Sequence, residues 1–208
     1  MKRILLNLIP LLILVLVFSV CAKKEAEIEP EKTMERPLEG KKVVMVIAEK
    51  DFKDEELLEP EAVLADQGVI VSIASTTQEM VKGMGGHEVG PDFLITDIKP
   101  EEWDAMVFVG GMGASQYWED SLAHHLAREF LNQGKIVGAI CIAPVTLANA
   151  GVLEGKKATC WKSEEGKLKA KGAMYTEEDV IRDGKIITAS GPPAAKKFGE
   201  TLVEALKE

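Results

Sequence analysis

Short apolar runs alternate with amphipathic segments along residues 41–208. Four of the runs are continuous and rich in β-branched residues, which is typical of strands buried on both faces of a parallel sheet. These runs are residues 43–48, 69–74, 105–109 and 136–140. Helical periodicity or a glycine-rich stretch separates each run from the next. This alternation predicts a doubly wound α/β fold, with a mostly parallel sheet that helices cover on both faces.

Turn and breaker residues add further elements. Residues 80–92 are rich in glycine and predict a hairpin or loop insertion around His87. Asp183-Gly184 lies between two short apolar pairs and is a strong hairpin signal. Pro60 stands inside the first helical segment, where its missing N–H leaves the carbonyl of Glu56 unpaired and bends the first turn. We also expect a strand at 158–161, a helix near 164–171 and a last helix from 190–192.

Cys141 is predicted to lie on a sharp turn between a strand and a helix. It directly follows the run 136–140, and Pro144 then opens a helical segment that stops at Gly151. Such a turn is called a nucleophile elbow. Its side chain projects out of the sheet toward the unpaired backbone N–H groups at the start of the helix, and their partial positive charge favours a thiolate. We therefore expect a reactive thiol, although a buried cysteine that packs as a small apolar residue fits the same pattern.

Three loops should meet near this thiol, because the carboxyl ends of the strands lie side by side in a doubly wound sheet. The loops are residues 49–56, 110–113 and 141–143. The backbone N–H groups of Gly110, Gly111 and Ile142 are candidate donors to an oxyanion. A glutamate close to a thiolate has a raised pKa through like-charge repulsion, so it can stay protonated and donate a hydrogen bond.

Composition and charge exclude several classes of function. The formal net charge is −9, and the first 40 residues carry six basic and six acidic side chains, so the acidic excess lies in the remainder. An acidic domain without a basic stripe argues against a nucleic-acid partner. The three cysteines, Cys21, Cys141 and Cys160, show neither metal-ligand spacing nor a disulfide framework. We expect no metal site and no cofactor.

The N-terminus predicts export. Lys2 and Arg3 precede an apolar run over residues 4–20, as in a signal segment. Residues 18–21 resemble the lipobox of bacterial lipoproteins, in which the cysteine, here Cys21, is lipidated, although valine stands where glycine or alanine is usual. Cleavage after Ala22 is one alternative, and an uncleaved anchor helix is another, because about 17 residues just span a bilayer. All three place the domain in the cell envelope on the non-cytoplasmic side, and lipidation or an uncleaved helix would anchor it to the membrane.

Residues 23–40 are dominated by glutamate and lysine, with two prolines and few apolar residues. Such a stretch cannot bury enough surface to fold. We expect a charged, flexible tether that reaches roughly 60 Å when extended. The chain thus divides into a signal or lipoprotein anchor at 1–22, the tether at 23–40 and one domain at 41–208.

Four motifs carry a family resemblance. They are AICIAP at 139–144, VGGMGA at 109–114, ELLEP at 56–60 and ITASGPP at 187–193. Together they resemble the ThiJ/PfpI superfamily, and the match runs in family order over residues 41–207. The resemblance implies a flavodoxin-like fold of the class I glutamine amidotransferase type. It also implies a homodimer, since members are commonly homodimers with active sites near the interface.

By the same resemblance Cys141 is the nucleophile, Glu56 hydrogen-bonds it, and Gly111 and Ile142 supply backbone donors around the thiol. Two departures matter. Ile142 stands where the peptidase-like branch has a histidine, and isoleucine can neither activate a thiol nor protonate a leaving amine. Trp161 stands where another branch has a histidine, and residues 176–193 lack the His-x-Glu pair of the amidotransferases. Proteolysis and amidotransfer are therefore disfavoured.

Other candidate residues keep two interpretations each. His87 either occupies an exposed loop or takes part in a catalytic or binding site. Trp161 either packs or forms a wall for a substrate. Cys160 alternates with Trp161 along its strand and should point to the core, or else act as a resolving thiol for oxidised Cys141. His124 and His125 are expected on the solvent side of their helix or at its margin.

The first hypothesis for function is an enzyme in which Cys141 attacks a small reactive carbonyl, with Glu56 moving protons, as in glyoxalases and deglycases. The second is a non-enzymatic, redox-responsive stress protein or chaperone, because an accessible thiolate is also readily oxidised. The third is a PfpI-type cysteine peptidase, which Ile142 disfavours.

Overall fold

The computed structural model describes residues 36–208. Its strands are β1 (Lys42–Val46), β2 (Ile70–Ser75), β3 (Val81–Lys82), β4 (Glu88–Val89), β5 (Phe93–Leu94), β6 (Ala105–Phe108), β7 (Ile136–Ile140), β8 (Lys157–Ala158), β9 (Met174–Tyr175), β10 (Val180–Asp183) and β11 (Ile186–Ala189). Its α-helices are α1 (Asp54–Asp66), α2 (Ser121–Asn132), α3 (Pro144–Asn149), α4 (Glu165–Ala170) and α5 (Ala195–Leu206). The predicted signal or lipoprotein segment at 1–22, with Cys21, lies outside the described residues.

Seven strands form the central sheet in the order β10-β11-β7-β6-β1-β2-β5. All neighbours are parallel except β10 and β11, which form the antiparallel hairpin predicted at Asp183-Gly184. The hairpin predicted around His87 is the separate pair β3–β4. The doubly wound, mostly parallel α/β fold is therefore confirmed. The chain leaves β1 toward β2 and returns to β6 on its other side, which opens a crevice at the carboxyl ends of these strands.

The central strands β1, β6 and β7 are buried along nearly their whole length, because helices cover the sheet. Helices α1 and α5 pack together, and α5 also packs on β7 and β11, whereas α2 contacts β6, β7 and α3. Gly138 of β7 permits the close approach of α5, since a Cβ atom there would lie 3.0 Å from Cζ of Phe198. No helix in residues 36–208 is long and apolar enough to cross a bilayer.

Some boundaries differ from the prediction. The strand expected at 158–161 is the short β8, which pairs with β9 outside the central sheet, and the edge strand β5 was not predicted.

The end of the predicted tether is also part of the domain. Residues 37–40 form a turn, and Leu38 is buried in the core with its N–H donating to the carbonyl of Gln67 at 3.1 Å. The buried side chain of Leu38 and this hydrogen bond attach the turn to the domain.

Helix α1 runs through Pro60, which is buried where α1 meets α5. Gly199 of α5 makes that contact possible, because a Cβ atom at Gly199 would lie 2.8 Å from Cα of Pro60. The obstructing atom belongs to the backbone and cannot rotate away. The pairing of the two helices therefore depends on a glycine inside α5.

We expect Gly199→Ala to lower the free energy of unfolding by roughly 1–3 kcal/mol, measured by urea denaturation. Overpacking against α1 outweighs the gain of about 1 kcal/mol that alanine brings to a helix interior. Gly166→Ala in α4 is the matched control, since its new Cβ meets nothing within 4 Å, and it should be neutral or stabilising. Equal stability of the two variants would contradict the close contact between α1 and α5.

Candidate active site

Cys141 lies on the predicted elbow, between β7 and α3. Its φ of +65° is in the left-handed region, which is uncommon for a residue other than glycine. Two hydrogen bonds hold it there: its N–H donates to the carbonyl of Ala189 at 2.9 Å, and its carbonyl accepts from the N–H of Trp161 at 2.7 Å. The neighbouring strand and the loop after β8 thus fix the position of the thiol, which is 9% exposed.

Glu56, in the first turn of α1, is fully buried. Among the described residues neither of its carboxyl oxygens has a well-aligned hydrogen-bond partner. The carboxyl group and the thiol approach each other across Gly110. A Cβ atom at Gly110 would overlap Oε2 of Glu56 and would lie 2.6 Å from Cβ of Cys141. Only a residue without a side chain leaves room for both groups.

The glycine turn after β6 supplies amides to this pair. The N–H groups of Gly111 and Ile142 face the thiol and act to lower its pKa, as the sequence predicted. The amide of Gly110, also predicted to face an oxyanion, instead acts on the carboxyl group of Glu56. Gly111 has a φ of +98°, and a Cβ there would overlap the backbone of Asp51 and Lys53. The turn is therefore seated tightly against the segment that leads into α1.

The protonation of the pair differs from the prediction. Burial raises the pKa of Glu56 to about 7, outweighing the nearby thiol, so the expected direction holds but its main cause is desolvation. For Cys141 the direction of the pKa shift is opposite to that of the expected low-pKa thiolate. Burial, and then the charge of Glu56, raises the pKa of Cys141 to about 12, and the two amides only partly offset this. Desolvation of both groups therefore favours a resting site in which Cys141 keeps its proton.

A cavity of about 500 Å³ opens onto these two groups. Trp161, one of the possible site residues, forms part of its wall and is 46% exposed. His87, the other one, does not line the cavity, because it lies exposed on the β3–β4 hairpin. Met84 of the same hairpin lines it instead. Cys160 is buried and borders a separate, smaller cavity, which favours its predicted place in the core.

Asp54 was missed by the sequence analysis. It is 7% exposed, and its carboxylate accepts hydrogen bonds from the N–H groups of Gly85 at 2.6 Å and His87 at 2.8 Å. Burial alone would raise the pKa of Asp54, but these bonds and that of its own N–H outweigh it and hold the pKa below its ordinary value. Asp54 therefore anchors the hairpin that brings Met84 to the cavity. An acid in the first turn of a helix usually reflects only the helix dipole, so the sequence carried no distinct signal.

Trp118 was missed as well. Its Nε1 donates to the carbonyl of Ile142 at 3.1 Å, which supports the elbow from the cavity side. The ammonium group of Lys167 lies 4.8 Å from the centre of its ring. His124, expected on the solvent side or at the margin of its helix, is half-buried, and its Nε2 lies 2.8 Å from the carbonyl oxygen of Trp118. The histidine therefore supports the cavity wall rather than the thiol.

We expect Glu56 to make the fold less stable as the pH rises. Because its pKa in the folded state lies above its ordinary value of 4.5, its contribution is complete below pH 4.5 and is lost as the pH rises through about 7. The loss should approach about 3 kcal/mol by pH 8. Urea unfolding of wild type and Glu56→Gln across this range measures it, since the glutamine cannot ionise.

Glu59→Gln is the matched control, because Glu59 is exposed on the same helix. This variant should follow the pH dependence of the wild type. Parallel curves for wild type and Glu56→Gln would show that Glu56 ionises as freely in the folded chain as in the unfolded one.

Comparison with known proteins identifies the family of this chain. The model of the DJ-1/PfpI family matches residues 41–205. An uncharacterized protein of Methanocaldococcus jannaschii is 40% identical over all of this chain and 98% of its own length. A protein of Pyrococcus horikoshii named as a deglycase is 30% identical over 79% of this chain and 99% of its own. A Caenorhabditis elegans protein named as a glutathione-independent glyoxalase is 28% identical over 80% and 89%.

Among solved structures, a ThiJ/PfpI domain protein from Brachyspira murdochii superposes with a TM-score of 0.78 at 33% identity. The superposition covers 80% of this chain and 98% of that one. The family match takes in the elbow, the glycine turn and the first turn of α1. This chain belongs to the DJ-1/PfpI family.

Proposed function

We propose that this protein is a cysteine-dependent enzyme that acts on reactive carbonyls, with glyoxalase-like or deglycase-like chemistry. The observation that carries the proposal is the meeting of Cys141 and Glu56 across Gly110 at the end of an open cavity. The names of the deglycase and glyoxalase relatives support the same class of reaction. The arrangement contains a nucleophile, a proton acceptor and backbone donors, which this chemistry requires.

The raised pKa values suggest how the thiol is activated. Ionised Glu56, with a pKa of about 7, accepts the thiol proton as the sulfur of Cys141 attacks the aldehyde carbon of a 2-oxoaldehyde. A C–S bond forms, the π electrons of the C=O bond move to oxygen, and the N–H groups of Gly111 and Ile142 are placed to stabilise that oxygen. Glu56 then returns the proton to that oxygen, so the product of this step is a hemithioacetal and Glu56 is ionised again.

Glu56 then removes the proton of the former aldehyde carbon, the released electron pair forms the C=C bond of an enediol, and the ketone oxygen takes up that proton. Glu56 next accepts the hydroxyl proton of the first carbon as its C=O bond forms again, and it delivers that proton to the former ketone carbon. The first carbon is oxidised to a thioester and the second is reduced to an alcohol, so no external oxidant is needed. Water hydrolyses the thioester, which releases a 2-hydroxy acid and restores the thiol. The whole reaction adds one water molecule to the 2-oxoaldehyde. A deglycase would begin at the same carbon while it carries a bond to an amine.

The competing hypotheses have weaker support. A redox sensor requires an accessible thiolate, whereas burial raises the pKa of Cys141 and shields its sulfur. A peptidase requires a group that protonates the leaving amine. No histidine of the described residues lines the cavity, and Ile142 occupies the position beside the nucleophile.

The homodimer remains a prediction from the family resemblance, and the envelope location remains a proposal from the sequence of residues 1–22.

We expect the purified protein to convert methylglyoxal to lactate. Cys141→Ser and Glu56→Gln should each lower kcat/KM at least about 100-fold, since each removes a group that reacts or transfers a proton. The wild-type kcat/KM should rise with pH around a midpoint near 7, because the base must be ionised. Lactate formation followed from pH 5.5 to 8.5 measures both effects.

Cys160→Ala controls for the loss of a thiol outside the site and should keep the wild-type pH profile. Absence of turnover by the wild-type protein would refute the proposal. So would full activity of Glu56→Gln. Clean conversion of Cys141 to a sulfinate by peroxide, without turnover of methylglyoxal, would favour the sensor.

A further inference from the structure

The walls of the active-site cavity are mainly apolar. Six apolar side chains line it: Met84, Met112, Trp118, Ile142, Trp161 and Pro192. Three of them are unusually exposed for their type, with Met112 at 67%, Met84 at 49% and Trp161 at 46%. Isolated exposed apolar residues are common, but a group of them at the mouth of a cavity marks a surface that gains free energy when it is covered.

The polar residues of the cavity are already paired with other protein groups. The ammonium group of Lys53 lies 3.1 Å from a carboxylate oxygen of Glu55. Glu164 accepts from the hydroxyl of Ser163 at 2.7 Å and also pairs with Lys167. The hydroxyl of the remaining polar lining residue, Ser115, donates to the carbonyl of Met112 at 3.0 Å. Apart from Glu56 beside the thiol, the lining offers no unpaired charge to select a charged substrate.

The cavity is also larger than a small carbonyl compound requires. A volume of about 500 Å³ is typical of sites that enclose drug-sized ligands, and a three-carbon aldehyde fills only a small part of it. Ile142 lies directly after Cys141, and the backbone N–H of Trp161 donates to the carbonyl of Cys141. A substrate held by Cys141 therefore extends along apolar surface.

We propose that the preferred substrates are 2-oxoaldehydes whose ketone carries an apolar chain or ring of several carbons, packed against Met112 and Trp161. This inference rests on the proposed function, because it names the substrate class of the same site. The covalent steps are those given above, with the methyl group replaced by the larger substituent. Each methylene that the walls fully bury should raise kcat/KM roughly fourfold.

The test compares 2-oxopropanal, 2-oxohexanal and 2-oxooctanal, which share the same reacting end. We expect kcat/KM to be at least about tenfold higher for 2-oxooctanal than for 2-oxopropanal. Met112→Gln, of nearly the same shape, should reduce this ratio several-fold, because a polar amide replaces an apolar wall. Met80→Gln is the matched control: Met80 is 65% exposed but does not line the cavity, so the ratio should stay as in the wild type.

Binding of unreactive ketones separates this inference from the proposed function. Tryptophan fluorescence reports 2-octanone or acetone at Trp118 and Trp161 whether or not catalysis occurs. Tighter binding of 2-octanone, weakened by Met112→Gln and not by Met80→Gln, would support the apolar site even if no aldehyde is turned over.

Two results would overturn the inference. The first is turnover of 2-oxopropanal at least as efficient as that of 2-oxooctanal, which would leave the proposed function intact. The second is binding of 2-octanone that is no tighter than that of acetone, or that disappears as the protein concentration rises. Loss of 2-octanone binding at high protein concentration would indicate that the exposed apolar residues at the cavity opening contact a second copy of the chain.

Discussion

The approach of a thiol and a carboxyl group across a glycine is the constraint on which the rest of the site depends. Gly110 has no side chain, so Glu56 from α1 and Cys141 from the elbow share one small volume at the end of the sheet. The parallel order of β1, β6 and β7 brings their three following loops together. Any larger residue at this position would push the acid away from the nucleophile.

Burial decides the chemistry of this pair. Both groups lie out of water, and desolvation disfavours charge on each of them. The two amides that face the sulfur oppose desolvation without overcoming it. The site is therefore better suited to moving a proton between sulfur and carboxylate during attack than to storing a thiolate.

The wall of the cavity is built by residues that do not react. Asp54 holds the β3–β4 hairpin through two backbone N–H groups, and that hairpin carries Met84 to the mouth. Trp118 supports the elbow from the opposite side. These residues shape the entrance to the thiol without contacting the Cys141–Glu56 pair through their own hydrogen bonds.

The sequence by itself determined the fold class, the elbow at Cys141 and the glycine turn, because apolar periodicity and turn residues act locally. The motifs also identified Glu56, although 85 residues separate it from the cysteine. Only the tertiary structure decided the protonation of the pair, since desolvation depends on atoms from many segments. It also decided that Leu38 joins the core, that His87 stays outside the cavity and that Asp54 anchors a hairpin. Such outcomes depend on packing between distant parts of the chain, and local pattern does not encode that packing.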